Sequence, residues 1–292
     1  MTQAATVVTK DDSDLHALAF TLECDGETSV ANPKPRRAKP KSSLHARSIP
    51  ADLHLSDRHV TLRNDLVAAS HGLKTLAEQR VVKSCAAKLD SVRLDQGRYK
   101  ITLSAAEYAE TFRIDPNTAY EQLKVVSKSL FDRMIRREEQ TKRGLKIHLD
   151  RWVSGITYHE GEARLELRFS HEATPYLTML RGNHTTYLLK QAAGLRSIYS
   201  WRLLEMLMQF KDTGWKRIDL EDFAKAMDAK PSHVKNFKDL RRWVIEPAVT
   251  ELTDKDGWQI NWQPIKSGRK VSALRFDFKR DPQGRLDINN CG

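Results

Sequence analysis

One order of elements occurs twice in this chain, and few folds accommodate it. In the first copy, Leu73, Ala77, Val81, Cys85 and Leu89 recur every four residues, which predicts a helix over 73–89 with one broad apolar face. The run YKITL at 99–103 reads as a short strand. Ser104, with Glu107 three residues on, has the spacing of a capping box and opens a helix over 105–112. Asp115 and Pro116 then start a longer helix, because a carboxylate accepts from free N–H groups and proline's fixed φ suits the first helical position. Tyr120, Leu123, Val126, Leu130 and Phe131 mark its apolar side. Strands follow over 133–137, 145–150, 153–158 and 163–169, with Gly144 and Gly161 in the turns between them.

The second copy begins with IYSWRLLEMLMQF at 198–210, apolar almost all round, as a helix at a domain centre is. A strand over 215–219, a helix over 220–227 and a turn over 228–231 come next. Ser232 is expected to cap one long helix carrying Val234, Phe237, Leu240, Val244, Ile245, Ala248 and Leu252 on one face. Strands over 258–264 and 271–278 enclose the loop IKSGRK at 265–270. Helix, strand, helix, turn, helix and hairpin is the order of a winged helix. The predicted fold class is therefore α+β, with two tandem winged-helix domains over 56–175 and 176–282. Between them, Tyr176, Leu177, Met179, Leu180, Tyr187, Leu188 and Leu189 predict a packed junction, not a loose tether.

The ends differ in composition. Residues 1–33 carry Asp11, Asp12, Asp14, Glu23, Asp25 and Glu27 against the single Lys10, and PKPRRAKPK at 33–41 is purely basic. Such a tract cannot bury enough surface to fold alone, so 1–55 is expected to be a disordered tail, with a second short tail over 283–292.

Charge points to the partner. The chain holds 49 Lys plus Arg against 38 Asp plus Glu, a formal charge of +11. That balance favours a polyanion, usually nucleic acid, with an anionic membrane surface as the other candidate. Cys24, Cys85 and Cys291 form no CxxC pair, so neither a disulfide framework nor a zinc site is expected. No secretory leader and no run of 18 apolar residues is read, which makes a soluble cytoplasmic protein the expectation. Enzymatic readings find no motif. There is no H-x-H for a metal-dependent nicking site, His171–Glu172 lacks the second His of a zinc protease, and no GxxxxGK[ST] cradles a phosphate. No metal, no cofactor and no catalytic residue is expected. Trp152, Trp201, Trp243, Trp258 and Trp262 read as core anchors.

The strongest candidate site is KPSHVKNFKDLRRW at 230–243. Ser232, His233, Lys235, Asn236, Lys238, Arg241 and Arg242 lie where a helix–turn–helix enters the major groove, with a solvated basic face as the alternative. Arg can grip guanine O6 and N7 with two bonds, and Asn can do the same for adenine. Lys266, Arg269 and Lys270 in the Gly-containing loop suit a wing along phosphates. In the first copy, Asn117, Thr118, Gln122, Lys124 and Lys128 on the helix, and Arg143 in the following turn, offer either a second groove reader or, with the rest of that domain, a dimerisation unit.

Taken together, these segments make the chain one that resembles the replication initiator (Rep) proteins of iteron-containing plasmids. The likeness runs over roughly 62–280. It rests on LRNDLVAASHGLKTLAEQRVV at 62–82, LRSIYSWRLLEMLMQF at 195–210, FKDLRRWVIEPAVTEL at 237–252 and DGWQINWQPIKSGRKVSALRFDF at 256–278. The resemblance implies two winged helices related by a pseudo-twofold axis. It implies monomers on the direct repeats of an origin and dimers on the chain's own operator. It also implies opening of an adjacent A·T-rich region and recruitment of the host initiator and replicative helicase. By position it favours Arg241 and Arg242, with Lys235 and Asn236, as contacts. The rival reading is a winged-helix transcriptional repressor with no replication role.

Overall fold

The computed structural model describes residues 53–89, 100–178, 180 and 182–280. The predicted tail over 283–292, almost all of that over 1–55, and Met179 of the junction lie outside the described residues. The N-terminal domain runs β1 (His59–Arg63), α1 (Asn64–Ala68), α2 (Leu76–Lys88), β2 (Lys100–Ser104), α3 (Ala105–Phe112), α4 (Pro116–Ser129), β3 (Met134–Thr141), β4 (Gly144–Arg151), β5 (Val153–His159) and β6 (Arg164–Phe169). β7 (His184–Leu188) and α5 (Leu189–Ala193) lead on to α6 (Ile198–Met208), β8 (Trp215–Asp219) and α7 (Leu220–Ala226). The C-terminal domain closes with α8 (Pro231–Val234), α9 (Phe237–Leu240), a π-helical turn (Arg241–Ile245), α10 (Glu246–Asp256), β9 (Trp258–Ser267) and β10 (Lys270–Arg280). Each domain has an antiparallel three-stranded sheet, in the orders β2-β6-β5 and β8-β10-β9. These are two winged helices. β3 and β4 form a separate two-stranded hairpin inserted ahead of the first wing.

Side-chain caps set the starts of α2, α3 and α4. α2 begins at Leu76, three residues later than the periodicity predicts, because Thr75 and Glu78 form a full capping box. Ser104 accepts from the Glu107 N–H at 3.2 Å, but the Glu107 carboxylate pairs with Lys88 at 2.6 Å and leaves that box half made. Asp115 caps α4 through the N–H groups of Asn117 and Thr118, with Pro116 at the first helical position.

The expected long helix from Ser232 to Leu252 is a correction. Lys230 occupies the cap position, and the helix breaks at Asn236, whose backbone is extended with φ −145° and ψ 153°. Asn236 instead caps α9: its carbonyl accepts from the Asp239 N–H at 2.9 Å and its amide donates to the Asp239 carboxylate at 2.6 Å. Further along, Pro247 has no N–H for the Trp243 carbonyl, and its ring crowds that carbonyl. The chain widens there into the π turn, in which the Glu246 N–H reaches the Arg241 carbonyl.

The two domains meet over a buried polar network. β1 pairs with β7 antiparallel, so the start of the first domain and the approach to the second are strapped together. Tyr176, Leu177, Tyr187 and Leu189 are buried, as the packed junction requires. Arg202, almost wholly buried, donates to the carbonyls of Val67 (3.0 Å), Ala69 (2.8 Å) and Ala226 (2.8 Å) and to the Glu205 carboxylate at 2.9 Å. Glu205 also pairs with Lys83 at 2.7 Å and accepts from the Tyr187 hydroxyl at 2.8 Å. Asp228, in the turn that precedes α8, accepts from the Ser70 hydroxyl, the His71 N–H at 2.7 Å and the Gly72 N–H at 3.2 Å. Gly72 needs its freedom: φ is +62°, and a Cβ there would press into the Met134 carbonyl oxygen. On the other side of that loop, Ser70 and Arg136 exchange backbone hydrogen bonds, and Glu138 of β3 pairs with Lys225 of α7 at 2.7 Å. One short loop therefore holds both the inserted hairpin and the turn ahead of α8.

Candidate nucleic-acid interface

Leu240, Val244, Ile245, Ala248 and Leu252 are buried and anchor the second domain's third helix. Ser232, Lys235, Asn236, Lys238, Arg241 and Arg242 are consequently exposed along its length, while His233 is half buried. The charges are not equivalent. Arg241 is bound to Glu246 at 2.7 Å and lies 5.8 Å from the Trp262 ring, so it is partly neutralised. Lys235, Lys238 and Arg242 form no ion pair among the described residues. Arg242 rests against the Trp243 ring at 4.9 Å. The wing beside them is longer than its sequence suggests. β9 and β10 pair up to Ser267 and Lys270, leaving Gly268, at φ +61°, and Arg269 as a two-residue turn. Lys266, Arg269 and Lys270 are exposed there.

The first domain presents a weaker version of the same surface. Asn117, Thr118, Lys128 and Arg143 are exposed. The Gln122 carbonyl accepts from the Tyr108 hydroxyl at 2.8 Å, and Lys124 is held by Glu160 at 2.7 Å, an interaction that raises the lysine pKa and lowers that of the glutamate. The tip of the first wing is Glu160, Gly161 and Glu162, so it carries charge of the wrong sign for phosphates.

Two surfaces were missed by sequence reasoning. Trp243, read as a core anchor, is 50% exposed, whereas Trp152, Trp201 and Trp258 are buried and Trp262 is half buried. The signal was available: Trp243 falls one residue off the four-residue stripe of Leu240, Val244 and Ala248. The second surface is β4, where Leu145, Ile147 and Leu149 alternate along one face, 55%, 46% and 59% exposed. Among the described residues no group of three metal-ligating side chains converges, and no helix is long and apolar enough to cross a membrane.

A pair of winged helices with an uncompensated basic third helix and a basic wing defines a DNA-binding protein. Residues 59–208 match the first winged-helix domain of the family described as Initiator Replication protein, and residues 219–278 match the second, described as Initiator Rep protein. The chain belongs to this replication initiator family. It is 26% identical to an Escherichia coli replication initiation protein over 78% of this chain and 72% of that protein. It is 25% identical to the Escherichia coli PI protein over 70% and 78%. The crystal structure of Pi initiator protein in complex with iteron DNA shares the fold at a TM-score of 0.66 and 23% identity, covering 78% of this chain and 99% of that one.

Proposed function

We propose that the chain is a plasmid replication initiator that binds the direct repeats of its origin sequence-specifically. The observation that carries this reading is the run of unpaired cations, Lys235, Lys238 and Arg242, exposed on the third helix of the second domain beside a basic two-residue wing tip. The C-terminal domain is the principal reader. Arg242, Lys238 and Lys235 contact base edges and phosphates in the major groove, flanked by Ser232, His233, Asn236 and Arg241, while Lys266, Arg269 and Lys270 follow the backbone. Asn117, Thr118, Lys128 and Arg143, with Gln122 and Lys124 behind them, add a second set of contacts. The buried junction sets the spacing, so a monomer spans two successive grooves, roughly 34–36 Å apart. Bent or untwisted DNA lies against more of this surface, and the added binding offsets the deformation and promotes opening beside the repeats. The host initiator and helicase then load, in the cytoplasm and without a cofactor or catalysis by this chain.

A second copy is the remaining partner. β4 has no strand on its outer side among the described residues, and its exposed Leu145, Ile147 and Leu149 form the kind of edge that invites pairing. Dimers joined through this hairpin repress the chain's own promoter. The test is a hydroxyl-radical footprint of a monomeric variant on one repeat. Protection over about 20 base pairs supports the reading. Protection of a single groove segment, unchanged on deleting residues 1–170, refutes the two-domain mode.

A further inference from the structure

We propose that Trp243 is a specificity-determining residue that seats a thymine methyl group, and that His233 positions it; this rests on the origin-binding reading above. The indole is half exposed on the third helix of the second domain, next to Arg242. It is not a loose surface side chain. The His233 ring stacks on it with centroids 6.1 Å apart and planes 16° from parallel, and the Arg242 guanidinium lies 4.9 Å from the ring. An unbroken α-helix separates residues ten apart by about 15 Å along its axis. Only the break at Asn236, which detaches α8 from α9, lets His233 meet Trp243. The Asn236–Asp239 bonds that hold this break are therefore part of the support for the indole.

The occupant follows from charge and chemistry. A rigid, half-buried Trp beside an Arg is the composition of an interaction hot spot, because its apolar surface is fully removed from water only in a complex. Arg242 lies against it and Lys235 and Lys238 are exposed on the preceding turns; none of the three has a carboxylate partner among the described residues, so the complex is with a polyanion. In the major groove the one apolar group that a base edge offers is the C5 methyl of thymine. Trp243 accordingly reads a T·A pair, while Arg242 beside it reads or clamps its neighbour.

The experiment uses the full chain and the duplex it selects from a pool randomised over 22 base pairs. Each thymine of that duplex is replaced singly by deoxyuridine, which removes only the methyl. Wild type should lose about fourfold in affinity at one or two positions, the value for one methyl taken out of water. That sensitivity should vanish in Trp243→Ala, persist in Trp243→Phe and weaken in His233→Ala, with all three variants melting as wild type does. A flat deoxyuridine scan of wild type, or a scan of Trp243→Ala that keeps the sensitive position, overturns the proposal while leaving repeat binding intact. Selection of no duplex at all overturns the origin-binding reading, and this inference with it.

Discussion

Replacing Arg202 by Met tests whether the two winged helices are one cooperative unit. Met fills much of the same space and adds no new polar atom. Its loss to the structure is specific: the carbonyls of Val67, Ala69 and Ala226 lose their donor, and the buried Glu205 keeps only Lys83 and Tyr187. Removing one member of a buried ion pair costs about 3–5 kcal/mol, because the other is left underpaired away from water. For a folded unit of this size that lowers the melting temperature by about 6–20 °C. Val67 and Ala69 belong to the first domain and Ala226 to the second, so wild type should unfold in one transition by both Trp fluorescence and far-ultraviolet circular dichroism. Arg202→Met should split it into two. Glu205→Gln should weaken the same network, and the double variant should cost less than the sum of the singles, as coupled neighbours do. A loss under 1 kcal/mol, a transition that stays single, or additive double-variant energies would refute the reasoning.

Ile147→Lys should shift the population to monomers in sedimentation velocity; undiminished dimer would remove β4 from the interface. Arg242→Ala should weaken repeat binding by about 1–3 kcal/mol without changing the melt, and binding within twofold of wild type would show that the helix is wrongly oriented. His71 is buried, and desolvation with Arg202 and Lys83 nearby holds its pKa well below the ordinary histidine value. The unfolded chain takes up a proton near pH 6.5 that the folded chain refuses, so urea midpoints should be level above that pH and fall as it drops toward 5. Burial pushes Lys216 down to about 8, so from there to about 10.4 the unfolded chain holds the extra proton and stability should rise with pH. Lys216→Met should shrink that rise but leave the part due to Lys83, also lowered to about 8.

The fold was legible wherever local chemistry and apolar period agreed. The helix over 105–112 and the strand over 215–219 coincide with their predicted bounds, and Asp115–Pro116 starts α4 as capping requires. Legibility failed where one side chain had two possible jobs. Asn236 reads equally as a base contact or as a cap, and only its extended backbone decides for the cap. Thr75 and Glu78 form a capping box that was masked by the apolar repeat running through it from Leu73. The junction was legible as apolar but not as polar, because Lys83 meets Glu205 from a distant part of the chain and Ser70 meets Asp228 across 158 residues of sequence. No pattern within one window encodes such a pairing.

That same ionic junction bears on how the two domains divide the work. The first wing ends in Glu160 and Glu162 and the second in Arg269, so phosphate contact is biased to one half of the molecule before any DNA arrives. The first domain retains an inserted hairpin whose β4 exposes three apolar side chains, and that hairpin is fastened to the Ser70–Gly72 loop by its backbone at Arg136. The loop in turn grips Asp228, whose φ of +49° places it in a strained left-handed turn immediately ahead of α8. In the proposed mode, a second copy pairing with β4 and a duplex engaging α8 and α9 would pull on opposite ends of one hydrogen-bonded loop. Asp228→Asn should loosen that link by removing the charge from three bonds. Repeat affinity of the monomer should then be nearly kept, while the energetic coupling between dimerisation and DNA binding, read as the difference in repeat affinity between wild-type dimer and Ile147→Lys monomer, should shrink. A difference that survives Asp228→Asn unchanged would mean that the two surfaces communicate by another route, or only through steric exclusion on the DNA.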